Sequence, residues 1–286
     1  MIGATPPWTD DCANYVHVAQ HRESKGELRP KRLMPTVFSL YERYMTRLYE
    51  AGGPNQHPFS SSERKVLSEN ADCLTLQLFQ ALRREILTST PMNKCAYCYQ
   101  IRAYEVDHYL PRSKFGEYAI YAPNLVPICT ICNGKKSNRY KRDDGQGRRY
   151  VHPYADKMPD GSTVYLSAEV HVGKSVVVSY KLMQPNEIDD DLWAVVSSQF
   201  DDLKLLARYE TEAAEDMAGM LPVYYAHFQR DGAEELRHQL LLIKFGKENL
   251  YGPNHWWTVL YSALSESAEF CQGGFKALGP NRSPIA

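Results

Sequence analysis

Cys95-Ala96-Tyr97-Cys98 and Cys129-Thr130-Ile131-Cys132 are two Cys-x-x-Cys pairs separated by thirty residues. Between them lie Glu105-Val106-Asp107-His108-Tyr109-Leu110-Pro111 and Asn124-Leu125-Val126-Pro127-Ile128, and the second pair runs on into Asn133-Gly134-Lys135-Lys136. Two such knuckles supply four thiolates to one tetrahedral zinc ion, which then has no open position and is structural rather than catalytic. The gap exceeds the about fifteen to twenty residues of a simple zinc ribbon, so the staple encloses an inserted segment. That segment holds the Asp107-His108 pair. A redox reading of either knuckle lacks the βαβ surroundings it needs.

The chain has seven cysteines, of which Cys12, Cys73 and Cys271 stand alone. An odd count, after an N-terminus with neither a basic start nor an apolar stretch, argues against a disulfide framework and a secretory signal. A cytoplasmic protein is expected, and no apolar run is long enough for a bilayer. Cys73, beside Leu74, reads as a small core residue. The 286 residues are 43% hydrophobic, enough for one large or two ordinary cores.

Net charge is −1, so the chain as a whole is no cationic nucleic-acid binder. Charge is uneven, however. Residues 92–155 carry eleven Lys/Arg against five Asp/Glu, whereas residues 185–220 carry ten acids and two bases. The acidic segment reads as a solvated face. The twenty tyrosines read as packing rather than base stacking.

Residues 1–34 lack period and read as an arm or loose cap. Pro35 is expected to open a helix with Val37, Leu40, Tyr41, Tyr44, Met45 and Leu48 on one face, ending at Ala51-Gly52-Gly53-Pro54. Ser60-x-x-Glu63 is a capping box for a second stretch, broken near Asn70, that carries Leu74, Leu78, Ala81, Leu82 and Ile86. Beyond the cysteines, Val164, Leu166, Ala168, Val170 and Val172 alternate, and Val176, Val178 and Tyr180 resume after Gly173-Lys174, which predicts a β-hairpin. Helical spacing returns from Asp189, with further helices around 209–230, 232–248 and 254–270, and the tail from Gly273 reads as frayed. Three regions follow: a mainly helical 1–91, a core at 92–156, and a hairpin with helices at 157–286.

Asp107-His108, Asn124-Leu125-Val126-Pro127 and Cys129-x-x-Cys132-Asn133-x-x-Lys136, bracketed by Cys95-x-x-Cys98, resemble the HNH endonuclease motif. The resemblance covers about fifty residues and implies an α+β fold: a zinc-stapled ββα-metal (His-Me finger) core between helical regions. Local sequence agrees, since Tyr104-Glu105-Val106 leads a strand into Asp107-His108 and Cys132-Asn133 opens a helix through Lys136 and Arg139. In the resemblance His108 is the general base, and Asp107 and Asn133 are oxygen ligands of a catalytic Mg²⁺ or Mn²⁺. Asn124 steadies the loop and orients His108. The last position, often His in the family, is Asn133 here, which keeps an oxygen ligand. The function implied is an endonuclease hydrolysing DNA, in the setting of multi-gene bacterial anti-phage or restriction systems with a partner protein.

Each residue has a plainer role open to it. His108 suits a loop hydrogen bond, Asn124 a turn cap, and Asn133 a helix N-cap. His152, in Tyr150-Val151-His152-Pro153-Tyr154, reads as packing before ligand or phosphate contact. Lys135, Lys136, Arg139, Lys141 and Arg142 after the second knuckle, with Arg112 and Lys114 after the histidine, are the expected nucleic-acid contacts. Arg148 and Arg149 continue the run. Two other functions fit the same core: a zinc-stabilised nucleic-acid-binding or adaptor module without catalysis, and an RNA-directed nuclease acting as a toxin or defence effector.

Overall fold

The computed structural model describes residues 3–158 and 163–279, which form two compact units. The first takes in the residues up to 158 together with Asp191–Leu203, and the second takes in the rest. Among the described residues no helix is long and apolar enough to cross a membrane.

The first unit opens with α1 (Asp11–Ser24), α2 (Arg29–Glu42) and the short α3 (Tyr44–Leu48). The expected loose arm is thus a packed helix. Tyr15, Val18 and Ala19, one turn of spacing, are its buried stripe, too short to stand out in the sequence. Asp10 caps α1 by accepting from the Ala13 amide. Pro35 sits inside α2 and does not open it; Pro30, in the first turn, takes that place.

α4 (Ser61–Glu69) starts at the capping box: the Ser60 hydroxyl accepts from Glu63 N–H at 3.3 Å, and Glu63 Oε2 accepts from Ser60 N–H at 2.8 Å. The chain then breaks into 3₁₀ turns, Asn70–Thr75 and Gln77–Phe79, before α5 (Gln80–Leu87). The break resets the helical phase. Leu82 and Ile86 are buried as expected, but Leu78 and Ala81 are exposed.

β1 (Glu105–His108) pairs antiparallel with β2 (Leu125–Ile128), with Asp107 opposite Val126 and His108 opposite Leu125. α6 (Thr130–Lys136) follows, completing a ββα unit against which α5 packs. α6 ends at Ser137, whose φ of 49° is left-handed, so Arg139 lies beyond the helix that was expected to carry it. The long β1–β2 loop lies against α4 at Gly116, where a Cβ would stand 2.6 Å from Ser68 N. Its Tyr118 and Tyr121 join Tyr41 and Tyr44 in a buried aromatic cluster, with the Tyr41 and Tyr121 rings stacked at 4.2 Å. These tyrosines pack, as their abundance suggested. α7 (Asp190–Leu203) supplies Gln199, whose side chain accepts from Val151 N–H and donates to the Tyr97 carbonyl.

The second unit is a hairpin and helices. β3 (Leu166–Val172) and β4 (Val176–Leu182) pair with Val170 opposite Val178. α8 (Leu205–Tyr251) is broken at Asp231 and Gly232, the glycine at φ 72°, where the sequence placed a boundary. α9 (Trp256–Glu266) and α10 (Ala268–Cys271) complete the unit. The supposedly frayed tail turns once more at Gly274–Leu278 with Phe275 fully buried, while residues 280–286 lie outside the described residues.

Candidate active site

All four knuckle cysteines are buried, and their sulfurs lie within 4.8 Å of one another. Cys98 Sγ and Cys129 Sγ are 3.9 Å apart, close to the about 3.8 Å edge of a tetrahedron with 2.3 Å zinc–sulfur bonds and far from a disulfide. Hydrogen bonds among the packed thiols pull Cys98 and Cys129 below the ordinary thiol value and push Cys132 above it, while burial raises Cys95. The donor set fits zinc. The knuckles form because Cys95 N–H bonds the Ile101 carbonyl and Ala96 N–H bonds Pro127, tying the first to β2. Cys129 caps α6, its sulfur accepting from Cys132 N–H at 3.5 Å.

That cap corrects one reading: Asn133 lies inside α6 and is not its N-cap. Asn133 is instead bound across to β1, its Nδ2 donating to Glu105 Oε2 at 2.7 Å. A strand places residues i and i+2 on one face, so Glu105 accompanies Asp107 toward α6. The i, i+2 spacing from Asp107 is the sequence signal for Glu105, a residue outside the expected site. Asp107 pairs through Oδ2 with the Lys136 ammonium at 2.8 Å, and the same ammonium donates to the His108 carbonyl at 2.9 Å.

His108 Nε2 lies 2.8 Å from the Ala119 carbonyl. A carbonyl only accepts, so Nε2 carries the proton and Nδ1 keeps the lone pair. Burial holds His108 below the usual histidine range, against the opposing pull of Ala119 and then Asp107. The same rule recurs at each position: one atom is tied to the scaffold and the other is left over. Among the described residues, Nδ1 remains without a partner on His108, as do one carboxylate oxygen on Asp107 and the amide oxygen on Asn133.

Asn124 is fully buried and saturated. Its Oδ1 accepts from Tyr44 O–H and Leu110 N–H, and its Nδ2 donates to the Leu110 and Tyr118 carbonyls. These bonds clasp both ends of the β1–β2 loop, the loop that carries the Ala119 carbonyl. Tyr44 links this clasp to His152, at 3.1 Å from Nε2. His152 is fully buried, its Nδ1 accepting from Tyr154 N–H, and burial holds it near 3 as a neutral, packed ring.

Asp107, His108 and Asn133 line one open cleft of about 960 Å³. Of the expected nucleic-acid contacts, only Arg112 lines it, paired with Asp72 at 2.9 Å. Lys136 is fully buried on Asp107, a correction to its expected place on a phosphate-facing surface. Arg139 pairs with Asp202 and Arg142 with Asp144, while Lys114 sits over the Tyr140 ring and Lys141 donates to Asn55. Lys135 is half-buried on α6. Arg148 is held by Asp156, and Arg149 by Asp202 and Asp143. Asp202, from the acidic segment, also accepts from Tyr150, so that segment is more than a solvated face.

Residues 95–139 match the family model described as HNH endonuclease. Protein ea31 of Escherichia phage lambda is 26% identical over 191 residues, covering 63% of this chain and 64% of that protein. Septu protein PtuB of Bacillus thuringiensis is 32% identical over 69 residues, covering 22% of this chain and 25% of its own length. The chain thus spans under two thirds of either relative. No solved structure matches. The cysteine cluster, the ββα unit and the family match coincide on the same residues: this chain carries an HNH endonuclease domain at 95–139.

Proposed function

We propose that the chain is a metal-dependent endonuclease that hydrolyses phosphodiester bonds in DNA. His108 is the general base, Asp107 and Asn133 hold one divalent cation, and Asn124 positions the loop behind His108. The observation that supports this best is His108 itself, its Nε2 committed to Ala119 and its residue lining the same cleft as Asp107 and Asn133. The oxygens left on Asp107 and Asn133 are hard donors of the kind that Mg²⁺ and Mn²⁺ favour. Such a cation stabilises charge developing on the phosphate when bound. The chain's own part is to keep His108 neutral by burial and to hold its ring so that Nδ1 takes the proton of the attacking water.

The setting we propose is bacterial anti-phage or restriction defence alongside a partner protein. Its support is the resemblance to HNH subunits of multi-gene systems, together with relatives from a phage and from Bacillus.

The test is incubation of purified protein with supercoiled plasmid, single-stranded DNA and RNA, each with Mg²⁺, Mn²⁺ or EDTA. Metal-dependent cutting of DNA is expected, and His108→Ala should slow it by about 10²–10⁴. Cutting of RNA alone would replace the DNA reading. Binding without cutting under every condition would leave an adaptor module.

A further inference from the structure

The cleft has a second wall. Gln80, Arg83, Arg84, Leu87 and Thr88 of α5 and its C-terminal end line it, and of the expected basic run only Arg112 joins them. Their spacing of three, four, seven and eight places them on one helical stripe. Leu82 and Ile86, offset by a side of the helix, are the stripe buried against the ββα unit. Packing of α5 therefore forces its arginines toward the cleft.

Charge separates these arginines from the others near the site. Arg139, Arg142, Arg148 and Arg149 each have a carboxylate partner. Arg83 and Arg84 are exposed and, among the described residues, form no ion pair; Arg83 reaches the Tyr104 carbonyl at 3.4 Å. Glu85 accepts from Trp8 N–H. The acids that line the cleft are Asp72, on Arg112, and Asp107, on Lys136. Both Arg112 and Asp72 are well exposed, so that pair is weak and exchangeable for a phosphate.

We propose that Arg83 and Arg84 bind the phosphodiester backbone of the DNA substrate, with Arg112 as the third phosphate ligand, a role that rests on the nuclease reading above. The cleft is open and lies at the large end of the about 300–1,000 Å³ range of small-molecule pockets, which suits an extended polyanion passing through it. Guanidinium groups bind phosphate oxygens in pairs and without regard to base, so these arginines position the strand and carry no sequence preference. The scissile phosphate then lies between the α5 wall and His108.

The experiment compares wild type, Arg83→Gln/Arg84→Gln, and Arg139→Gln/Arg142→Gln as a control. Binding to a labelled duplex is measured by anisotropy in EDTA across a salt series, and plasmid cleavage is measured in parallel with Mn²⁺. The α5 pair should weaken binding about tenfold or more on unrelated sequences and flatten the log K against log salt slope by roughly 0.9 for each phosphate left unneutralised. It should raise KM more than it lowers kcat, while the control changes little. Because both arginines are exposed, melting temperatures should match, and any misfolded variant is replaced by Arg84→Gln alone. Wild-type affinity and slope in the α5 variant, or an equal loss in the control, would overturn the proposal while cutting by wild type left the nuclease reading standing. A wild type that binds neither DNA nor RNA would sink both. Duplex binding abolished by α5 substitution in a protein that never cuts would uphold the phosphate site and remove the nuclease.

Discussion

Lys136 is fully buried with its ammonium 2.8 Å from Asp107 Oδ2. The lysine that the sequence placed among phosphate ligands is thereby the counter-charge of a cleft carboxylate. Removing one member of such a pair leaves the other charged and unpaired, at a cost of about 3–5 kcal/mol. Lys136→Met should lower the unfolding free energy by that amount, while the salt slope of DNA binding by the remaining folded protein stays unchanged. A shallower slope with unchanged stability would return Lys136 to the surface.

Glu105 holds the Asn133 amide by its nitrogen, which leaves the oxygen for a cation. Glu105→Ala lets the amide turn over, whereas Glu105→Gln keeps an acceptor in place. Calorimetric Mn²⁺ titration should therefore show affinity reduced about 10–100-fold in the alanine variant, the usual cost of losing an outer-shell partner. The glutamine variant should stay close to wild type. Equal affinity in all three proteins would make Glu105 a surface residue without influence on the site.

The cysteine centre predicts one zinc per chain by elemental analysis. Structural zinc contributes on the order of 10 kcal/mol of apparent binding free energy, so Cys129→Ser, which also removes the α6 cap, should abolish cooperative unfolding of the ββα unit. Folded wild-type protein free of zinc would contradict the assignment.

His152 predicts acid sensitivity. Its folded value is about 3 because burial disfavours the imidazolium, whereas an unfolded histidine titrates near 6.5. Between those limits the unfolded chain binds a proton that the native protein does not, so stability falls as pH is lowered below about 6.5. Asp11 and Glu117 act in the opposite sense, their burial raising them to about 6 and about 7. The His152 part is isolated by subtraction. From pH 6.5 to 5, wild type should lose about 1.6 kcal/mol relative to His152→Gln, read from denaturant melts. A difference independent of pH would mean that the ring takes up protons in the native state as it does in the unfolded one.

Local features are encoded within short stretches of the chain. Ligand spacing names a tetrahedral zinc, a capping box names a helix start, and alternation names the β3–β4 hairpin, because each is encoded within a few residues. The order Asp107, His108, Asn124, Asn133 was legible for the same reason. Which basic side chains remain open to a phosphate was not, since that depends on where carboxylates from distant segments arrive. Asp202 reaches Arg139 and Arg149 from sixty-three and fifty-three positions away, and Asp107 takes up Lys136. Tyr44 likewise meets Asn124 across eighty positions. Arg83 and Arg84 look ordinary in the sequence; only the packing of Leu82 and Ile86 turns them toward the cleft, because a helix that buries one stripe must expose another.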